Sequence, residues 1–118
     1  MDGLKWETDM AASADVVHVT NDNFESFKKS KAAVIDFSAT WCGPCQVLSP
    51  IVDKLATEFK GKVAIGKVDI DENPDLAGMF GVMAVPTLVF FKDGKVVDQH
   101  PGLLPEGTLR QRLSKLAS

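Results

Sequence analysis

The run VIDFSATWCGPCQVLSPIVDKLA, residues 34–56, decides how the rest of the chain is read. It starts inside a continuous apolar stretch, KAAVIDFSA (31–39), that holds one carboxylate, Asp36. Such a stretch reads as a strand buried on both faces. It ends in a helix over about 43–59, where Leu48, Val52, Leu55 and Phe59 recur at helical spacing. Val47 and Ile51 are expected to widen that apolar face, and Pro50 to kink the helix from inside. Between strand and helix stand the only two cysteines of the chain, Cys42 and Cys45, separated by Gly43 and Pro44.

Working outward, DVVHVT (15–20), KVAIGKVDID (62–71), PTLVFF (86–91) and KVVDQH (95–100) read as further strands. Thr20 or Asn21 is expected to cap a short helix with Phe24 and Phe27 on one face. Gly61 closes the long helix. Pro74 and Gly81 bracket another short helix, and Leu109, Leu113 and Leu116 mark a C-terminal one. Asp93-Gly94 is a hairpin turn signal. The order is β-α-β-α-β-α-β-β-α. Alternation implies parallel pairing, and the tight turn implies one antiparallel pair, in a mixed sheet with helices on both faces. Residues 1–14 show no periodicity and read as a flexible N-terminal arm before a single domain at 15–118. Trp6 is the exception in that arm, and docking of its indole on the domain is one alternative.

The totals narrow the function. With 118 residues, 45% hydrophobic and 25% charged, the chain is one ordinary globular domain. A net charge of −3 gives no basic surplus for nucleic acid or an anionic membrane. No apolar run approaches the ~20 residues of a membrane span. The first residues are mixed and acidic, unlike a secretory signal, and lack the arginines of a mitochondrial leader. The expected compartment is the cytosol, where thiols stay reduced. An organelle stays open if a transit peptide was removed.

A C-x-x-C between a buried strand and a helix start points to redox chemistry. Cys42 falls at the helix N-terminus, where free backbone N–H groups and the macrodipole favour a thiolate. Cys45, nearly one turn inside, is expected to be more shielded. Cys42 then attacks a target disulfide, and Cys45 resolves the mixed disulfide. A zinc site would need further ligands, and His18 and His100 are single and widely spaced. Asp36 is either a base for Cys45 or a buried structural carboxylate. Lys67 shares strand parity with Val63 and Ile65 and so points inward, with Asp36 as its expected partner. The alternative is a lysine snorkelling at a sheet edge. Pro86 is either an ordinary strand-start proline or a cis proline beside the site.

Together with KVDIDENPDLAGMFGV, VPTLVFFKDGK and PGLLPEGTL, the opening run resembles the thioredoxin family from about Val16 onward. WCGPC is the specific part. The resemblance implies an α/β thioredoxin fold, a five-stranded mixed sheet flanked by four helices. It implies Cys42 as nucleophile, Cys45 as resolving thiol, Asp36 as the buried carboxylate with Lys67 beside it, and Pro86 as a cis proline. Trp41, Gly43, Pro44, Val85, Pro86 and Gly102 would line the groove where a target's extended segment docks. The implied activity is a protein-disulfide reductase acting on disulfide-containing target proteins. It would be recharged by a thioredoxin reductase that draws on NADPH, with no cofactor or metal bound to the chain itself, which is expected to be a monomer. An oxidase or isomerase in an oxidising compartment is the neighbouring reading, and the Gly-Pro between the cysteines resembles the reducing members. A binding module with incidental redox chemistry is the reading from another class. The chain departs from common family patterns at Ser38, where many bacterial members have Trp, and at Gln46, where a lysine is common.

Overall fold

Along residues 32–37 the side chains alternate between two dry faces, and that alternation organises the molecule. The computed structural model describes residues 14–118; Trp6 and nearly all of the expected arm lie outside the described residues. Its elements are β1 (Val16–His18), α1 (Phe24–Lys28), β2 (Ala32–Ser38), α2 (Gly43–Glu58), β3 (Ala64–Asp69), α3 (Pro74–Met79), β4 (Thr87–Lys92), β5 (Lys95–Pro101) and α4 (Glu106–Ala117). The strands form one sheet in the order β1-β3-β2-β4-β5, which puts β2 at its centre.

Strand β3 pairs in parallel with β1 and β2, while β4 runs antiparallel to both β2 and β5. The sequence reading of a single antiparallel pair is therefore corrected to two. The reason lies in the length of α3. Six helical residues advance only about 9 Å, against about 20 Å for six strand residues. The helix cannot carry the chain back to the edge where β3 began, so β4 starts where β3 ends and returns. The β4–β5 hairpin turns at Asp93 and Gly94, both at positive φ (53° and 83°), the backbone a tight two-residue turn requires.

One face of the sheet presents Ala32, Val34, Ile65, Leu88 and Phe90 to Leu48, Val52 and Leu55 of α2 and to Leu109, Leu113 and Leu116 of α4. The other presents Ala33, Ile35, Phe37, Val68, Val89 and Phe91 to α1 and α3. There Phe80 meets the rings of Phe24 and Phe91 edge-on, each at 5.6 Å between centroids. By parity Asp36 falls on the first face, under α2.

Two local expectations fail. Val47 is 58% exposed instead of extending the core face of α2. At about 100° per residue it lies on the side of Leu48 away from Val52, outside the buried arc, whereas Ile51 sits at the edge of that arc and is half-buried. The residue flanking α1 is Asn23, not Thr20 or Asn21. The Asn23 side chain accepts the Thr20 N–H at 2.7 Å, and Thr20 O accepts the Phe24 N–H at 3.0 Å. The polar residues thus build a turn ahead of the helix.

Gly66 in β3 has no room for a side chain. A Cβ there would lie 2.6 Å from Val19 Cγ2 and 2.9 Å from Phe27 Cζ. Gly66→Ala is expected to destabilise the fold by roughly 1–3 kcal/mol. Gly43→Ala, where a Cβ meets nothing within 4 Å, should stay within about 0.5 kcal/mol. Urea unfolding of the two variants checks the contrast.

Candidate active site at the junction of β2 and α2

Strand β2 ends at Ser38, and the chain turns once before α2 begins at Gly43. Cys42 is the capping residue, with extended backbone (φ −93°, ψ 117°). Pro44 follows within the first turn, where its missing N–H leaves no gap in the helix bonding. The Cys45 backbone N–H donates to Cys42 Sγ at 3.2 Å. The two sulfurs are joined in a disulfide, with Cα atoms 5.3 Å apart.

Cys42 is 5% exposed and Cys45 4%, so the expected difference in shielding is absent in this oxidised state. A bonded pair shares one cover. The asymmetry lies in the neighbours. Cys42 Sγ is 3.7 Å from the Val85 carbonyl oxygen, toward the outer groove. Cys45 lines an inner cleft of about 140 Å³ together with Asp36, Ser38, Ser49, Lys67 and Asp69.

Val85, Pro86 and Gly102, three of the residues expected to line a docking groove, lie next to one another near the disulfide. Val85 packs against the disulfide. The Val85–Pro86 peptide bond is cis. The Gly102 N–H donates to Pro86 O at 2.7 Å, which sets the end of β5 beside the proline. Gly102 has φ +94° and, like Gly43, has open space where a Cβ would stand. Gly43 and Pro44 are exposed. Trp41 is 67% exposed, yet its indole N–H is fixed on Asp71 Oδ2 at 2.8 Å.

On the inner side, Asp36 is 1% exposed and neither carboxylate oxygen has a hydrogen-bond partner in the protein. Burial pushes its pKa from 3.8 up to about 7; the Lys67 ammonium opposes that rise and the Asp53 carboxylate adds to it. Asp36 and Lys67 are register partners across β2 and β3. Their direct pairing is nevertheless corrected. The Lys67 ammonium donates to Ser49 Oγ and forms its ion pair with Asp53 at 3.7 Å. Both partners sit on α2, which covers this face and offers a hydroxyl and a second carboxylate to the long side chain. The edge reading also fails, because β3 lies inside the sheet. His18 and His100 fall on β1 and β5, the two opposite edges. Among the described residues no group of three His, Cys, Asp or Glu side chains is placed to hold a metal.

Comparison with known proteins agrees with this geometry. The thioredoxin family model matches residues 15–115. A thioredoxin of Staphylococcus haemolyticus is 45% identical over 100 residues, covering 85% of this chain and 96% of its own. Thioredoxin 2 of Chlorobaculum tepidum is 40% identical over 105 residues, covering 87% and 96%. Among solved structures, an N21Q mutant thioredoxin from Halobacterium salinarum superposes with a TM-score of 0.82 at 37% identity, covering 91% and 96%. The chain belongs to the thioredoxin family. Family membership and the bonded C-x-x-C pair make it a thiol-disulfide oxidoreductase with protein-disulfide reductase activity, which needs no bound cofactor.

Three residues of this thioredoxin site were not singled out from the sequence. Ser49 and Asp53 follow Cys45 at i+4 and i+8, one polar stripe beside the apolar face of α2, and that spacing was the available signal. Asp71 was hidden in the acidic run DIDEN (69–73). Asp69 Oδ1 accepts the Asp71 N–H at 2.8 Å and so shapes the loop that presents Asp71 to Trp41. Gln46, where a lysine is common, donates its side-chain amide to Thr40 O at 3.2 Å and brings no charge to the cysteines.

The Asp36 shift fixes a sign for stability against pH. The folded state holds this proton more tightly than the unfolded chain does. Its contribution is therefore full below the unfolded value of 3.8 and is lost as pH rises through about 7. Asp36→Asn is expected to be more stable than the parent above pH 7, by a few kcal/mol, and to lose the advantage toward pH 4. Thermal unfolding from pH 4 to 8.5 measures this.

Proposed function

We propose that this thioredoxin reduces disulfides in target proteins through two successive exchanges at Cys42 and Cys45, and that a thioredoxin reductase drawing on NADPH restores the dithiol. Reduced Cys42, as thiolate, attacks one sulfur of the target disulfide. One mixed S–S bond forms, and the target's other sulfur leaves as thiolate. Asp36, ionised, accepts the Cys45 thiol proton, directly or through water in the inner cleft. The Cys45 thiolate then attacks Cys42 Sγ, expelling the second target sulfur and leaving the Cys42–Cys45 disulfide. Two electrons have moved to the target, whose two thiolates take up protons, one by way of Asp36 and one from solvent. The reductase, oxidising NADPH, returns two electrons to the disulfide, and the two thiols regain their protons from solvent.

The observation that carries this reading is the Cys45 N–H aimed at Cys42 Sγ from the first turn of α2. The donor that holds the sulfur in the disulfide also stabilises the thiolate after reduction, together with the helix N-terminus. Cys42 faces the Val85 carbonyl and the groove, so it is the sulfur that meets targets. Cys45 faces the cleft that holds the base. Trp41, Gly43, Pro44, Val85, Pro86 and Gly102 frame an open groove, which fits an extended segment held mainly through backbone contacts. Such docking serves many targets with little side-chain selectivity. A reducing compartment, the cytosol, goes with this role.

Equilibration with defined thiol/disulfide buffers is expected to give a reduction potential near about −270 mV, the value typical of thioredoxins in general. A potential near about −120 mV would instead mark an oxidant. Cys45→Ser is expected to accumulate mixed disulfides between Cys42 and target proteins on non-reducing gels. A binding module would retain its partner in that variant with no covalent adduct.

A further inference from the structure

The inner cleft contains more charge than the exchange itself uses. Asp36 on β2 and Asp53 on α2 approach the same ammonium, that of Lys67 on β3. Lys67 and Asp53 side chains are 18% and 11% exposed, so water screens the cluster weakly. The ammonium donates to Ser49 Oγ and lies 3.7 Å from Asp53, both on α2. Neither Asp53 nor Asp36, the register neighbour of Lys67, accepts a hydrogen bond on either oxygen, so Asp53 holds the ammonium through charge alone. The small cavity on one side of Asp36 is lined otherwise by apolar residues, among them Val34, Leu55, Ile65 and Leu88, and Cys45 and Ser38 line the cleft on its other side. Asp69 is the one further carboxylate lining the cleft, and its Oδ1 is occupied by the backbone N–H groups of Asp71 and Glu72.

We infer that Asp53 is a positioning residue for the exchange. Together with Ser49 it withholds Lys67 from Asp36 and thereby keeps Asp36 basic enough to take the Cys45 proton. This inference rests on the base role of Asp36 proposed above. Two effects of Asp53 act in the same direction. Its negative charge disfavours a second carboxylate nearby, and its hold on Lys67 keeps the compensating cation off Asp36. Without Asp53 the ammonium is free to pair with Asp36, which then becomes a weaker base. The Cys45–Ser49–Asp53 stripe therefore links the resolving thiol, the lysine anchor and the lysine's counterion on one helix face.

The test reads the titration of Asp36 itself, from its carboxyl ¹³C shift in the oxidised full chain, beside the pH profile of target reduction. Asp53→Asn is expected to lower the Asp36 midpoint by about one pH unit. Above about pH 8, where Asp36 is ionised in both proteins, it should slow release of the mixed disulfide about threefold. Asp53→Glu, which keeps the charge, should restore both. An unchanged or raised midpoint in Asp53→Asn overturns the inference, whatever happens to stability. If that variant does not fold, Ser49→Ala, which removes the other anchor of the same ammonium, takes its place. Its Asp36 midpoint should also fall, and an unchanged or raised midpoint overturns the inference. Asp36→Asn separates the two readings. If it leaves the rate–pH profile unaltered, the base role itself fails. If it removes the profile's midpoint while Asp53→Asn moves nothing, only the role of Asp53 fails.

Discussion

Strand β2 is enclosed on every side. β3 and β4 take its hydrogen bonds, and helices cover both its faces. A strand in that position cannot slip without moving its apolar set to the wrong face. Its last residues therefore point the chain at a fixed place, and α2 starts there. The redox pair inherits its geometry from this constraint. Cys42 caps the helix because β2 stops at Ser38, and Cys45 turns inward because it lies within the first turn of a helix whose next buried residue is Leu48.

The same central position explains the two sides of the site. Outward, the β2–α2 junction meets the start of β4 and the end of β5, where Val85, Pro86 and Gly102 converge. That convergence requires β4 to begin at the end of the sheet where β3 finishes, which the brevity of α3 enforces. Inward, the parity that buries Val34 also buries Asp36, and the parity that buries Ile65 also turns Lys67 under α2. The disulfide thus lies between the outer residues at Val85 and Pro86 and an inner cleft lined by charge. In the proposed exchange one side meets the target sulfur and the other handles the proton.

Most of this was legible in the sequence because it is written in periodicity and in turn chemistry. The buried strand 31–39, the helix carrying the cysteines, and the Asp93-Gly94 hairpin all follow from local pattern, as do the inward parity of Lys67 and the burial of Asp36. The direction of β4 was not legible, since an apolar strand reads the same both ways and only the length of α3 sets its sense. Val47 misled because an apolar side chain next to an apolar stripe looks like part of it, although 100° of rotation puts it in water. Ser49 and Asp53 were passed over because the face of α2 was read for its hydrophobic residues alone. The resemblance, not the spacing, supplied the groove residues of the 85–102 region, which only the fold brings next to Cys42.

Asp36 also has a meaning for anyone who would engineer this protein. The carboxylate is buried with no hydrogen bond on either oxygen, so the scaffold carries a built-in flaw at the point where its proposed chemistry is seated. A selection scheme that scores heat resistance and ignores turnover would drift toward silencing position 36 early, and the survivors would be robust and slow. Libraries aimed at tougher variants should therefore hold that residue constant and look for gains on the opposite face of the sheet, around the aromatic cluster of Phe24, Phe80 and Phe91.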